Sequence, residues 1–261
     1  GRGGGESVAE DEPTVAIVGM RRASSYGRDV ARALARDLAA AGVPVVSGMA
    51  LGVDSDAHAG ALDAGGLTVA VLASGADVPY PPSKRRLYEE IRRRGLVVSE
   101  MPPGFRARKW CFPARNRIIA GLGDLTIVVE AAERSGSLIT ADLAAKIGRE
   151  VAAVPGPVTS PGAAGTNALL RDGATLVRNA QDVLDALFGV GNAPPPRRRT
   201  ADGLDPPLRL LLDAVAHGRD TVAALAGASP DQAEAALVGL TELELRGLVR
   251  REPGGRYAVI P

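Results

Sequence analysis

The 261 residues include one cysteine, two histidines and aromatic side chains at only 3% of positions. The single cysteine, Cys111, excludes an intramolecular disulfide and a cysteine-rich zinc site, and suits a reducing compartment. No apolar run approaches the roughly 18 residues a membrane span requires. The Gly-rich, acidic start from Gly1 to Glu12 has no apolar stretch that could serve as a secretory signal. A cytoplasmic location is expected, with no membrane partner. Strong charge of one sign is also lacking: net charge is +1, so any polyanion must be met by a local basic face. With so few aromatics, base stacking would rest on very few positions. The chain starts at glycine rather than methionine, and an upstream part is expected to be missing.

Apolar residues make up 46% of the chain, enough for a sizeable core. Short apolar runs alternate with helical spacing. Strands are predicted at Thr14–Val18, Val43–Val46, Leu67–Leu72, Leu96–Val98, Leu125–Val129 and Val151–Val154. Helices are predicted at Gly27–Ala41, from an N-cap at Asp54 to about Ala64, and at Ser83–Arg94, Phe112–Leu122 and Leu138–Ile147. This alternation predicts an α/β, Rossmann-like parallel sheet covered on both faces. The loops after Val18, Val46, Val98 and Val129 should share the rim where such sheets bind ligands. The expected organisation is a disordered start over 1–12, a Rossmann-like domain over 13–188, a Pro/Arg linker over 189–205 containing Pro194 to Arg199, and a small domain over 206–261.

Four rim segments carry chemistry. After the first strand come Gly19, Met20, Arg21 and Arg22, a permissive turn beside a helix start with two guanidinium groups for an anion. It lacks the G-x-G-x-x-G fingerprint, so no dinucleotide cofactor is expected. Ser47 and Gly48 end the second strand, and Ser135 and Gly136 open the helix after Glu130, where Glu130 reads as a cap for neighbouring loops. His58 reads as a structural helix residue, since no acidic or nucleophilic partner is near it in sequence. The most informative stretch is Arg106 to Leu122. There Arg106, Arg108 and Lys109 interleave with Trp110 and Phe112, ahead of Arg115, Asn116 and Arg117 on a helix. Cations that track a phosphate backbone beside a ring that stacks on a base are the physics of sequence-tolerant single-strand binding. One of the two aromatics is expected to be buried. Arg115 is expected either at the ligand rim or in a salt bridge to Glu130 or Asp124.

The segments Ile17–Arg21, Ser25–Gly27, Ser47–Asp54, Phe112–Leu122, Ser135–Thr140 and Val154–Gly156 together resemble the DNA-processing protein A family, also called Smf. The likeness runs from about Pro13 to Phe188. It implies an extended Rossmann fold that binds single-stranded DNA in a basic pocket without catalysis, forms homodimers, and helps load a RecA-type recombinase in natural transformation and recombination. It places Arg21 or Arg22, Ser47, Gly48, Lys109, Phe112, Arg115 and Asn116 toward DNA. Met20 stands where the family commonly has serine or threonine. The helical domain often found upstream in the family is not in this chain. The stretch from Thr166 to Phe188 holds more apolar residues than one docking helix needs and is the expected dimer surface.

Over Pro206–Pro261 the pattern is helix, helix, helix, hairpin: Leu208–Ala216, Thr221–Ala226, a helix capped by Ser229 through Leu245, and a hairpin to Val259. That is a winged helix. Its third helix carries Asp231, Glu234, Glu242 and Glu244 and no basic residue before Arg246, which argues against duplex-groove reading and toward an accessory role. The alternative to a DNA-binding protein is a nucleotide-binding or nucleoside-monophosphate-cleaving enzyme on a related fold. Such an enzyme would need a rim carboxylate, with Glu130 or Asp54 as candidates.

Overall fold

A computed structural model describes residues 13–192, 204–226, 230–245, 248–252 and 254–259. The chain divides into two compact units, 1–195 and 196–261. The expected disordered start, most of the expected linker and the Ser229 cap lie outside the described residues.

In the first unit, seven parallel strands are β1 (Val15–Val18), β2 (Val45–Ser47), β3 (Thr68–Val71), β4 (Leu96–Val98), β5 (Leu125–Val128), β6 (Glu150–Ala153) and β7 (Thr175–Leu176). Their order is β4-β3-β2-β1-β5-β6-β7. The helices are α1 (Ser25–Ala40), α2 (Val53–Asp63), α3 (Arg85–Arg94), α4 (Cys111–Leu122), α5 (Gly136–Lys146), α6 (Ala164–Arg171) and α7 (Ala180–Phe188). The period of two is explicit in β1. Val15 and Ile17 pack into one core with Leu34 and Leu38 of α1 and Val183 of α7. Ala16 and Val18 enter the opposite core with Ile119 of α4 and Ala141 of α5. Both faces are therefore covered, which is why the strands read as continuous apolar runs.

Four expectations are corrected. A seventh strand, β7, exists within Thr166–Phe188 where none was expected; Val177, Val183 and Leu184 of that stretch are core residues, while Leu176 is 47% exposed. The helix placed at Ser83 begins at Arg85, after a 3-10 turn over Pro82–Lys84. Gly52, not Asp54, is the N-cap of α2: at φ 75° it holds a left-handed conformation that favours glycine, and Asp54 lies inside the first turn. Neither Trp110 nor Phe112 is enclosed, Trp110 being 56% exposed and Phe112 half-buried.

His58 sits on α2, fully buried. The Thr68 hydroxyl donates to the Val45 carbonyl at 2.9 Å, so its oxygen accepts from His58 Nδ1–H at 2.7 Å. His58 Nε2 is then bare, with no hydrogen-bond partner among the described residues. A second proton would be stranded there, and burial lowers this pKa from 6.5 to about 3, with the Arg115 guanidinium adding to the effect. Unfolded His58 takes its proton near pH 6.5 and folded His58 does not. The stability is thus complete above that pH and declines as pH falls. Chemical denaturation at pH 7 and pH 5.5 should show a loss of about 1 kcal/mol that His58→Gln removes.

In the second unit, α8 (Pro206–Ala216), α9 (Val222–Ala226) and α10 (Pro230–Leu245) precede the antiparallel pair β8 (Val249–Glu252) and β9 (Arg256–Val259). Leu208, Leu240, Leu243 and Tyr257 form its core. This is a winged-helix arrangement.

Candidate nucleic-acid interface

Strand order steps outward from β1 to β4, then jumps to β5 on the other side of β1. The exits of β1 and β5 diverge at that reversal, which leaves a crevice beyond the carboxyl ends of the strands. A cleft of about 580 Å³ lies there, lined among others by Gly19, Arg21, Asp54, Tyr80, Lys109 and Phe112. Asn116 in the second turn of α4 and Ser135 and Gly136 at the start of α5 extend its wall. Ser135 caps α5, accepting from Ser137 N–H, and Asn116 Nδ2 donates to the Gly136 carbonyl at 3.4 Å. The rim is thereby braced between α4 and the start of α5, whose partial positive charge favours an anion.

The aromatic wall is layered. The Arg21 guanidinium lies 4.8 Å from the centre of the Phe112 ring, and Tyr80 meets the same ring at 5.3 Å, tilted by 51°. Arg21 and Lys109 are exposed, with no ion pair among the described residues. Tyr80 was not foreseen. It sits in the loop after β3, which sequence reasoning left off the rim, although an aromatic among prolines in a chain so poor in rings was the available signal.

Arg115 forms the floor. Only 6% exposed, it donates through Nη1 to the carbonyls of Gly48 and Val71, and its Nη2 lies 4.0 Å from Asp54 Oδ2. Its partner is therefore Asp54, not Glu130 or Asp124; Asp124 is engaged by Arg149 and by Thr14 N–H. Burial raises the Asp54 carboxyl above the usual carboxylate range, opposed by Arg115 and by the Ala50 N–H. Burial lowers Arg115 to about 10, which leaves it charged at neutral pH. Gly48 is required by this seat: a Cβ there would lie 2.3 Å from Arg115 Nη2.

The other predicted residues part company. Ser47 is enclosed, its hydroxyl donating to the Ile17 carbonyl at 2.6 Å, and serves as a brace between strands. Arg117 is exposed but turned to Glu100. Arg22 is exposed beside the cleft and does not line it. Glu130 acts as the expected cap: its Oε2 accepts from Ser24 N–H at 2.8 Å and from the Ser24 hydroxyl at 3.2 Å. Among the described residues no cluster of groups suited to a metal ion is present, and no helix is long and apolar enough to cross a membrane.

Comparison with known proteins agrees with this geometry. Residues 3–188 match the family model described as DNA recombination-mediator protein A, and residues 192–255 match the DprA winged helix domain. A putative DNA processing protein DprA from Mycobacterium tuberculosis is 46% identical over 190 residues, 73% of this chain. The chain spans about half, 49%, of that relative's length. The solved DNA processing protein A of Streptococcus pneumoniae superposes with a TM-score of 0.63 at 43% identity, covering 67% of this chain and 62% of that one. The DNA processing protein A of Helicobacter pylori, solved for its unique single-stranded DNA binding mode, gives 0.62 at 36% identity, covering 67% and 80%.

Proposed function

This chain belongs to the DNA recombination-mediator protein A family, and from that premise we propose that its switch-point cleft binds single-stranded DNA without catalysis and hands it to a RecA-type recombinase. The observation that carries the reading is one wall on which exposed Arg21 and Lys109 flank the rings of Phe112 and Tyr80. Cations there neutralise phosphates, and a ring stacks on any base. An entering base replaces the Arg21 guanidinium on Phe112, and the freed guanidinium is then available to the phosphate. Arg115 supports this surface from beneath rather than touching DNA.

Catalysis is disfavoured because Asp54 is committed to the fold and Glu130 is held in place through one of its oxygens. Asp54 faces Arg115 and accepts from the Ala50 N–H at 3.3 Å, and Glu130 holds Ser24. Incubation with nucleoside monophosphates should release no free base; release would favour the enzyme reading. A homodimer, a cytoplasmic setting and an accessory, non-groove role for the C-terminal unit complete the proposal. The exposed Glu234 and Glu244 of α10 support that last point.

A fluorescence titration comparing single strands, duplex and free nucleotides tests the core claim. Single strands should bind best. If Arg21, Arg22 and Lys109 each neutralise one phosphate, the log–log salt slope should be about −2. A flat response to salt removes the electrostatic basis of the proposal.

A further inference from the structure

A second cleft, of about 610 Å³, opens where the start of α1 meets the exits of β5 and β6. Its polar centre is Glu130, only 8% exposed. One carboxyl oxygen, Oε2, is spent on Ser24. The other, Oε1, has no hydrogen-bond partner among the described residues. It lies beside Gly162, where a Cβ would come within 2.9 Å of it. The remaining walls are mostly apolar. They are formed by Tyr26, 47% exposed with its hydroxyl donating to the Pro155 carbonyl at 2.9 Å, and by Pro155 and Pro157. Oε1 is not closed off from solvent, so an incoming N–H can reach it, and a cleft bordered by a ring and two prolines suits a planar donor.

We propose that this cleft binds a nucleobase bearing an exocyclic amino group, its N–H donating to Glu130 Oε1 and its ring lying against Tyr26. Cytosine fits this better than thymine, whose N3–H is flanked by two carbonyls that would face the carboxylate. The inference rests on the single-strand reading for its most natural source, a second base of the strand held in the first cleft. The two clefts adjoin along one rim: Met20 N–H donates to the Glu130 carbonyl at 2.8 Å, Arg21 lines the first cleft and Ser24 the second. Between them stands Arg22, exposed and without an ion pair among the described residues, placed to hold the intervening phosphate. A free nucleotide would present the same chemistry.

The test uses the full chain at neutral pH with labelled oligodeoxycytidine, oligothymidine and dCMP. The wild type should prefer oligodeoxycytidine by about fivefold, the worth of one net hydrogen bond. Glu130→Gln can still accept from Ser24 with its amide oxygen while turning an NH₂ into the cleft. The preference should vanish or reverse, with oligothymidine affinity unchanged. Tyr26→Phe should keep the preference and Tyr26→Ala should reduce it. Glu130-dependent binding of dCMP without any oligonucleotide preference would assign the cleft to a free nucleotide. If neither oligonucleotide binds the wild type, the single-strand reading fails and the dCMP titration alone decides the cleft. Equal affinity for both oligonucleotides with no dCMP binding overturns the proposal, as does an equal loss for both in Glu130→Gln.

Discussion

Arg115→Ala should cost about 3–5 kcal/mol of folding stability, because it removes one member of a buried pair and leaves the other uncompensated. The Asp54 carboxyl stays buried, and the carbonyls of Gly48 and Val71 lose their donor. Single-strand affinity should fall with it, since the floor beneath Phe112 and Arg21 is lost. The sign of a pH test is fixed by Asp54. Burial already raises its pKa, and without Arg115 the carboxyl relaxes by taking a proton, so the variant's deficit should shrink as pH falls. Urea unfolding across pH measures both effects. Unchanged stability with abolished DNA binding would instead make Arg115 a direct contact and refute its role as a strut.

Phe112→Ala should do the reverse. The ring is half-buried and packs against Tyr80 and the Arg21 guanidinium rather than the core, so unfolding should hardly change. Loss of one stacked base costs about 1–3 kcal/mol, and single-strand affinity should drop by at least about fivefold. Phe112→Trp should restore it, because any aromatic face will stack. Duplex affinity, which does not use an unstacked base, should be unaffected. Binding retained in Phe112→Ala would move the stacking platform to Tyr80.

The fold was legible because β1, β2 and β5 are buried on both faces and therefore read as uninterrupted apolar runs between helical periods. β7 escaped because two residues at a sheet edge, one of them half-exposed Leu176, have no period to detect. Residue type at strand ends pointed to the right rim, but it could not say which way a side chain turns. Ser47 and Arg115 stand at rim positions and look inward, Arg115 because Gly48 offers no Cβ to block it. Asp54 as its partner lies 61 positions earlier, a pairing that only the β2–α2 turn creates. The unspent oxygen of Glu130 was hidden for the same reason: it matters through what the fold places beside it.

The central place of β1 also governs how this chain is made. Val15 and Ala16 can pair with Val45 and Val46 as soon as β2 emerges, but β5, which pairs Ile17 with Ile127, emerges far later. Until then the half-sheet β4-β3-β2-β1 presents an unsatisfied, wholly apolar edge at Val15–Val18. Contacts so distant in sequence form slowly, because loop closure must precede any gain from pairing. Such an open strand can recruit the wrong neighbour. The arrangement that creates the switch-point cleft thus delays completion of the nascent domain until β5 has left the ribosome, and makes that interval its most aggregation-prone stage.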